Sequence, residues 1–123
     1  TSTGRVYIYR YTNQEWERMD VFNGENGGDA FGYAVSISGD GSLLAVGAYY
    51  HDNVAESAGR VYIYRYNGTD WVYHTSIDGN SSHGYFGSAL STSYSGYTVV
   101  IGADGDDSSG KANAGMVKTY YLE

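Results

Sequence analysis

The 123-residue chain contains no cysteine and no proline. Without Cys there is no disulfide, no thiolate nucleophile and no sulfur-ligated metal, and the redox compartment cannot be read. Without Pro, other residues must make every turn, and 18 glycines are available for it. Basic charge is scarce too: 7 Lys and Arg face 14 Asp and Glu, a formal charge of -7. That sign discourages contact with nucleic-acid phosphates or anionic membranes. No run of 18 apolar residues occurs, so no membrane-spanning helix is expected, and no basic start leads into an apolar stretch as a signal peptide would. The first residues are Thr1, Ser2 and Thr3 rather than Met, which fits a processed or excised chain. The length also excludes scaffolds such as a (β/α)₈ barrel, which takes about 250 residues.

What the chain has in excess is tyrosine, 15 residues, beside its glycines. Together they favour strands joined by tight turns. The glycines also fall at regular places. Gly4-Arg5-Val6-Tyr7-Ile8-Tyr9-Arg10-Tyr11 recurs identically as Gly59-Arg60-Val61-Tyr62-Ile63-Tyr64-Arg65-Tyr66, an offset of 55. Trp16 and Trp71, Gly24 and Gly79, Phe31-Gly32 and Phe86-Gly87, and Gly47-Ala48 and Gly102-Ala103 keep that offset. A weaker third copy runs from Gly115 to Leu122, displaced by 56 from Gly59, so one residue is inserted in the loop before it. This is a repeat protein.

The complete period reads as four short strands. Residues 31–38 alternate, with Tyr33, Val35 and Ile37 on one face and Ala34, Ser36 and Ser38 on the other. Gly39-Asp40-Gly41 is the turn. Leu43 to Ala48 is a nearly unbroken apolar run, as an inner strand buried on both faces would be. After a polar loop from Tyr49 to Ser57, Arg60 to Tyr66 sets Val61 and Ile63 opposite Tyr62, Tyr64 and Tyr66. Asn67-Gly68 signals a hairpin, and Trp71 to Ile77 completes the unit as its outermost strand. No segment holds helical spacing over three turns. The expected fold is all-β: tandem four-stranded antiparallel propeller-like blades, incomplete in one chain. Residues 1–123 form one repeat domain, with strands three and four of a blade in 1–30, a complete blade in 31–85, and strands one to three in 86–123.

These landmarks resemble FG-GAP repeats, the blades of integrin-alpha-like β-propellers, in a bacterial or environmental form rich in serine and glycine. The residues that carry the resemblance are Phe31-Gly32, Ser36, Ser38, Gly41 and Leu44 to Ala48, with their second copies Phe86-Gly87, Ser91, Ser93, Gly96 and Val99 to Ala103. The resemblance implies a propeller blade, and in many such blades calcium held by aspartates in the first turn. Here the corresponding positions are Ser36, Ser38, Asp40 and Leu44, then Ser91, Ser93, Ser95 and Val99. That set cannot form the usual oxygen cage, so no cofactor is expected. A closed propeller has 4 to 8 blades, about 220 to 440 residues at this period. This chain cannot close by itself.

Candidates for chemistry are few. Asp104, Asp106 and Asp107 form the best acidic cluster, read either as a solvated loop or as a weak cation site. His51, His74 and His83 are the only neutral-pH bases, at unrelated repeat positions and outside any catalytic motif, so no enzyme is expected. Asn67-Gly68-Thr69 and Asn80-Ser81-Ser82 are acceptor tripeptides for glycosylation. The tyrosine stripes could be inter-sheet core, an assembly interface or a platform for sugar rings.

Two functions follow. The first is a structural extracellular or cell-surface protein whose copies join head-to-tail into a ring or fibre, because unfinished sheets pair readily with other chains. The interface would be Arg5, Tyr7, Tyr9 and Tyr11 of one copy against Met116, Lys118, Tyr120 and Leu122 of the next. Three strands plus two make five, one more than a blade, which argues against simple completion. The alternative is an excised ligand- or carbohydrate-binding module of a larger FG-GAP adhesin, binding through the loops at 49–57 and 104–113. Expected partners are copies of the chain and glycans, with no nucleic acid.

Overall fold

A computed structural model describes residues 3–52, 55–107 and 109–123. Asn53, Val54 and Ser108, within the two predicted binding loops, lie outside the described residues, as do Thr1 and Ser2. The described residues form an all-β fold: β1 (Arg5–Thr12), β2 (Glu15–Asn23), β3 (Ala34–Ile37), β4 (Leu43–Ala48), β5 (Arg60–Tyr66), β6 (Trp71–Asp78), β7 (Phe86–Thr92), β8 (Thr98–Ala103) and β9 (Met116–Tyr121). They build three antiparallel sheets, β1-β2, β3-β4-β5-β6 and β7-β8-β9. Only the middle sheet has four strands.

The 55-residue period is visible in backbone detail. The β1–β2 register shifts between Ile8 and Tyr9, and the β5–β6 register shifts at the equivalent Ile63 and Tyr64. Ala30 and Tyr85, each just before Phe-Gly, both have positive φ, 62° and 59°. The first strand of the period is shorter than its alternation suggests. β3 starts at Ala34, two residues after Gly32 at φ 90°, whereas its counterpart β7 starts at Phe86 and passes through Gly87, at φ 95°, with an irregular register between Phe86 and Ala89.

The middle sheet is covered on both sides. Leu44, Val46, Tyr62 and Tyr64 join Val6, Ile8 and Phe31 in one buried cluster shared with the first sheet. Leu43, Ala45, Val61 and Ile63 join Phe86, Val99, Ile101 and Leu122 in a second cluster shared with the third sheet. All six residues of β4 are buried, which is why its sequence shows no polar alternation. β3 has the opposite fate. Val35 and Ile37 are about half exposed, because the two-stranded first sheet stops short of this edge.

Phe31 and Phe86 wedge between successive sheets, each 4% exposed. The wedges fit because glycine faces them: a Cβ on Gly24 or Gly79 would lie 2.8 or 2.5 Å from the Cβ of Phe31 or Phe86. A Cβ on Gly4 or Gly59 would meet the Phe31 or Phe86 carbonyl oxygen at 2.2 or 2.1 Å. The glycine spacing in the sequence is therefore the imprint of one inter-sheet contact made twice.

Candidate interaction surfaces

The turn of the middle sheet shows how a serine-rich loop uses its single carboxylate. Asp40 accepts hydrogen bonds from the Ser38 and Ser42 hydroxyls at 2.8 and 2.6 Å and from the Ser42 amide at 3.0 Å. The Ser42 and Ser38 hydroxyls hold its carboxyl below the usual carboxylate range. The Leu43 amide donates to Ser38 Oγ at 3.0 Å, closing the turn. Calcium titrated into the protein should therefore produce no heat dependent on Asp40. Submillimolar binding abolished by Asp40→Ala would contradict this.

The acidic loop is also held by its own backbone. Asp107 accepts the Asn113 amide at 2.5 Å, as Asp52, one period earlier, accepts the Ser57 amide at 2.7 Å. The inserted residue lies inside this repeated clasp. Asp106 is buried, Asp104 and Asp107 are exposed, and no group of three or more metal-ligating side chains converges among the described residues. His51 is buried and shares a 2.7 Å contact from Nδ1 to Asp29. His74 is exposed on β6, and His83 sits in a loop beside Ser82. The three histidines are not brought together. Asn67 caps the β5–β6 turn by accepting the Thr69 and Asp70 amides, and Asn80 is exposed after β6.

The tyrosine stripes have two environments. Tyr62 and Tyr64 face the first sheet: Tyr62 donates to Glu25, whose carboxyl this bond lowers, and Tyr64 stacks on Phe22 with centroids 4.0 Å apart. Arg60 holds Asp78 and reaches Glu25 at 3.2 Å. Their counterparts Tyr7 and Tyr9, and Tyr11, the counterpart of Tyr66, point outward from the first sheet, with Trp16 beside Tyr11, and are 46%, 51% and 59% exposed. Arg5 is exposed there and donates to Asn23 at 2.7 Å.

At the other end, the side chains divide differently from the expected interface. Met116, Lys118 and Tyr120 are half-buried and Leu122 is buried, with Met116, Tyr120 and Leu122 packed toward the middle sheet. The outward side of β9 carries Val117, Thr119 and Tyr121, next to Val100 of β8. The physical reason is repeat phase. The positions matching Tyr7, Tyr9 and Tyr11 face the preceding sheet, and the described residues supply one for β9 but none for β1.

Burial pushes the Tyr64 hydroxyl up to about 12 and raises that of Tyr62 further, and a bond to Tyr50 takes Tyr49 to about 12. In an unfolded chain these phenols ionise near pH ~10. The folded protein thus holds protons the unfolded chain has lost. Their contribution is complete below about pH 10 and disappears as the pH climbs toward 12. Denaturant midpoints measured across that interval should fall, with phenolate absorbance rising in step. A midpoint unchanged up to pH 12 would contradict the burial.

Tyr33, Tyr49, Tyr50 and Tyr85 form a ring cluster on one rim, with neighbouring centroids 4.2 to 5.9 Å apart. It borders a groove of about 830 Å³ that continues over the outward end of the third sheet, past Gly102, Asp104, Gly115 and Val117. A repeat with a Phe-Gly wedge, an inner strand buried on both faces and a Gly-Ala end has now been placed in space. Residues 23–64 match the FG-GAP repeat. That segment runs from the end of β2 through most of β5 and includes the first Phe-Gly wedge. No curated protein matches the chain. No helix among the described residues is long and apolar enough to cross a membrane.

Proposed function

We propose that the chain is a non-catalytic binding module of an FG-GAP adhesin-like protein, extracellular or at a cell surface, built from propeller-type blades that stack sheet on sheet. The observation that carries this reading is the middle sheet: an FG-GAP match whose inner strands are buried on both faces, with the same Phe-Gly contact made on each side. In that arrangement residues 1–30, 31–85 and 86–123 are successive blades, and further repeats cover the outer faces. The rim cluster of Tyr33, Tyr49, Tyr50 and Tyr85 offers flat amphipathic rings with Asp104 beside them, a surface suited to sugars or a protein ligand. Glycosylation at Asn67 and Asn80 is compatible with it, since neither residue lines the rim groove.

Head-to-tail self-assembly is the second reading, favoured by the exposure of Tyr7, Tyr9 and Tyr11 at one end and Val117 and Tyr121 at the other. Such faces make heterologous contacts that close into rings or run into fibres. Sedimentation velocity at tens of micromolar separates the two. The binding-module reading expects no defined oligomer series. Discrete larger species that vanish with Tyr9→Lys would replace it with self-assembly.

A further inference from the structure

The groove over the third sheet is built like two contacts the chain already makes. Phe86-Gly87 docks on the middle sheet along a short ladder: the His83, Tyr85 and Phe86 amides donate to the Glu56, Ser57 and Ala58 carbonyls at 2.8, 3.1 and 3.0 Å. Gly59 then bridges Phe86 in parallel register. Gly87 closes against Gly47 and Val61, where its own Cβ would come within 3.3 Å of the Gly47 Cα and 3.1 Å of Val61 Cγ2. Phe31-Gly32 repeats the contact on Gly4 and Val6.

Four of the receiving residues have counterparts that line the groove, and Ser57 has one just before them in the chain. Gly47 corresponds to Gly102, Ser57 to Asn113, Ala58 to Ala114, Gly59 to Gly115 and Val61 to Val117. The backbone is already shaped. Gly4, Gly59 and Gly115 have φ of 83°, 90° and 83°, and Ser57 and Asn113 have φ of 50° and 53°. The Gly59 amide donates to the His51 carbonyl at 3.0 Å, and the Gly115 amide to the Asp106 carbonyl at the same distance. What differs is cover. Val6 and Val61 are buried at 9% and 0% exposure, whereas Val117 is 71% exposed, and a Cβ on Gly115 would find nothing nearer than 3.6 Å.

We propose that this groove is a third docking seat, and that its occupant is the Phe-Gly strand of a further repeat. The segment adds by β-augmentation, its amides donating to the Asn113 and Ala114 carbonyls, its phenyl ring entering beside Gly115 and its glycine closing on Gly102 and Val117. The inference rests on the blade stacking proposed above and names the contact through which stacking continues.

The test titrates the isotope-labelled chain with a synthetic peptide having the sequence of residues 82–92, followed by amide chemical shifts. The expected result is saturable shifts confined to Gly102 and residues 112–117. Affinity should fall by about tenfold or more when the peptide's Phe is Ala, and the shifts should vanish in the Val117→Asp protein. That variant changes an exposed side chain, and an unchanged melting temperature confirms that it remains folded. Absence of shifts at millimolar peptide, shifts elsewhere, or binding indifferent to either substitution would overturn the seat. Hydrogen exchange on the same sample reads the existing sheet stacking, so failure of the seat is distinguishable from failure of the blade reading.

Discussion

Replacing Phe86 with alanine is expected to destabilise the protein by about 3–5 kcal/mol, and Phe31→Ala by a similar amount. Both rings are 4% exposed, and each seals the junction of two sheets. The junction has little room to collapse into the cavity, because glycine backbone already lies against the wedge on two sides. Phe31 also packs its ring edge-on to Tyr62 at 5.1 Å, and Phe86 does so to Tyr120 at 6.2 Å. Denaturant unfolding measures the loss. A change below about 1 kcal/mol at either site would show that the wedge does not hold the sheets together.

The second large effect is a contrast between equivalent glycines. Gly59→Ala puts a methyl group 2.1 Å from the Phe86 carbonyl oxygen, on a residue at φ 90°. Backbone strain costs about 1–3 kcal/mol, and displacing the neighbouring strand adds about 1–3 kcal/mol more. Gly115→Ala carries the strain alone, since the nearest atom to its new methyl is 3.6 Å away. The two variants differ by one carbon at matching repeat positions, yet Gly59→Ala should be the more damaging by about 1–3 kcal/mol. Equal unfolding midpoints would mean that the Gly59–Phe86 approach is not present in solution.

Much of this fold was legible because period and burial coincide. The apolar run Leu43 to Ala48 announced a strand covered on both faces, and all six residues are buried. Arg60 to Tyr66 announced its two faces, and the two core clusters divide Val61 and Ile63 from Tyr62 and Tyr64. Strand composition alone could not give the direction in which sheets stack. For that reason Met116, Tyr120 and Leu122 read as an outward surface by analogy with Arg5, Tyr9 and Tyr11, although they pack inward. A signal was available: Leu122 replaces Tyr66 and Val117 repeats Val61, so the apolar residues sit on both sides of β9. The groove was harder to find. It is formed by Gly102, Ala114 and Gly115, residues with no chemistry of their own, and becomes recognisable only when Gly59 is seen against Phe86. The Tyr33–Tyr49–Tyr50–Tyr85 cluster was missed because its members come from three separate segments.

The central claim is that the middle sheet is the interior of a stack, held on both faces, while the end sheets each have one face open. Amide hydrogen exchange reads this strand by strand. The account predicts the slowest exchange at Leu44 to Val46 and Val61 to Ile63, and markedly faster exchange along the outward-facing residues of β1 and β9. Amides of β4 and β5 that exchange as fast as those of β9 would contradict it.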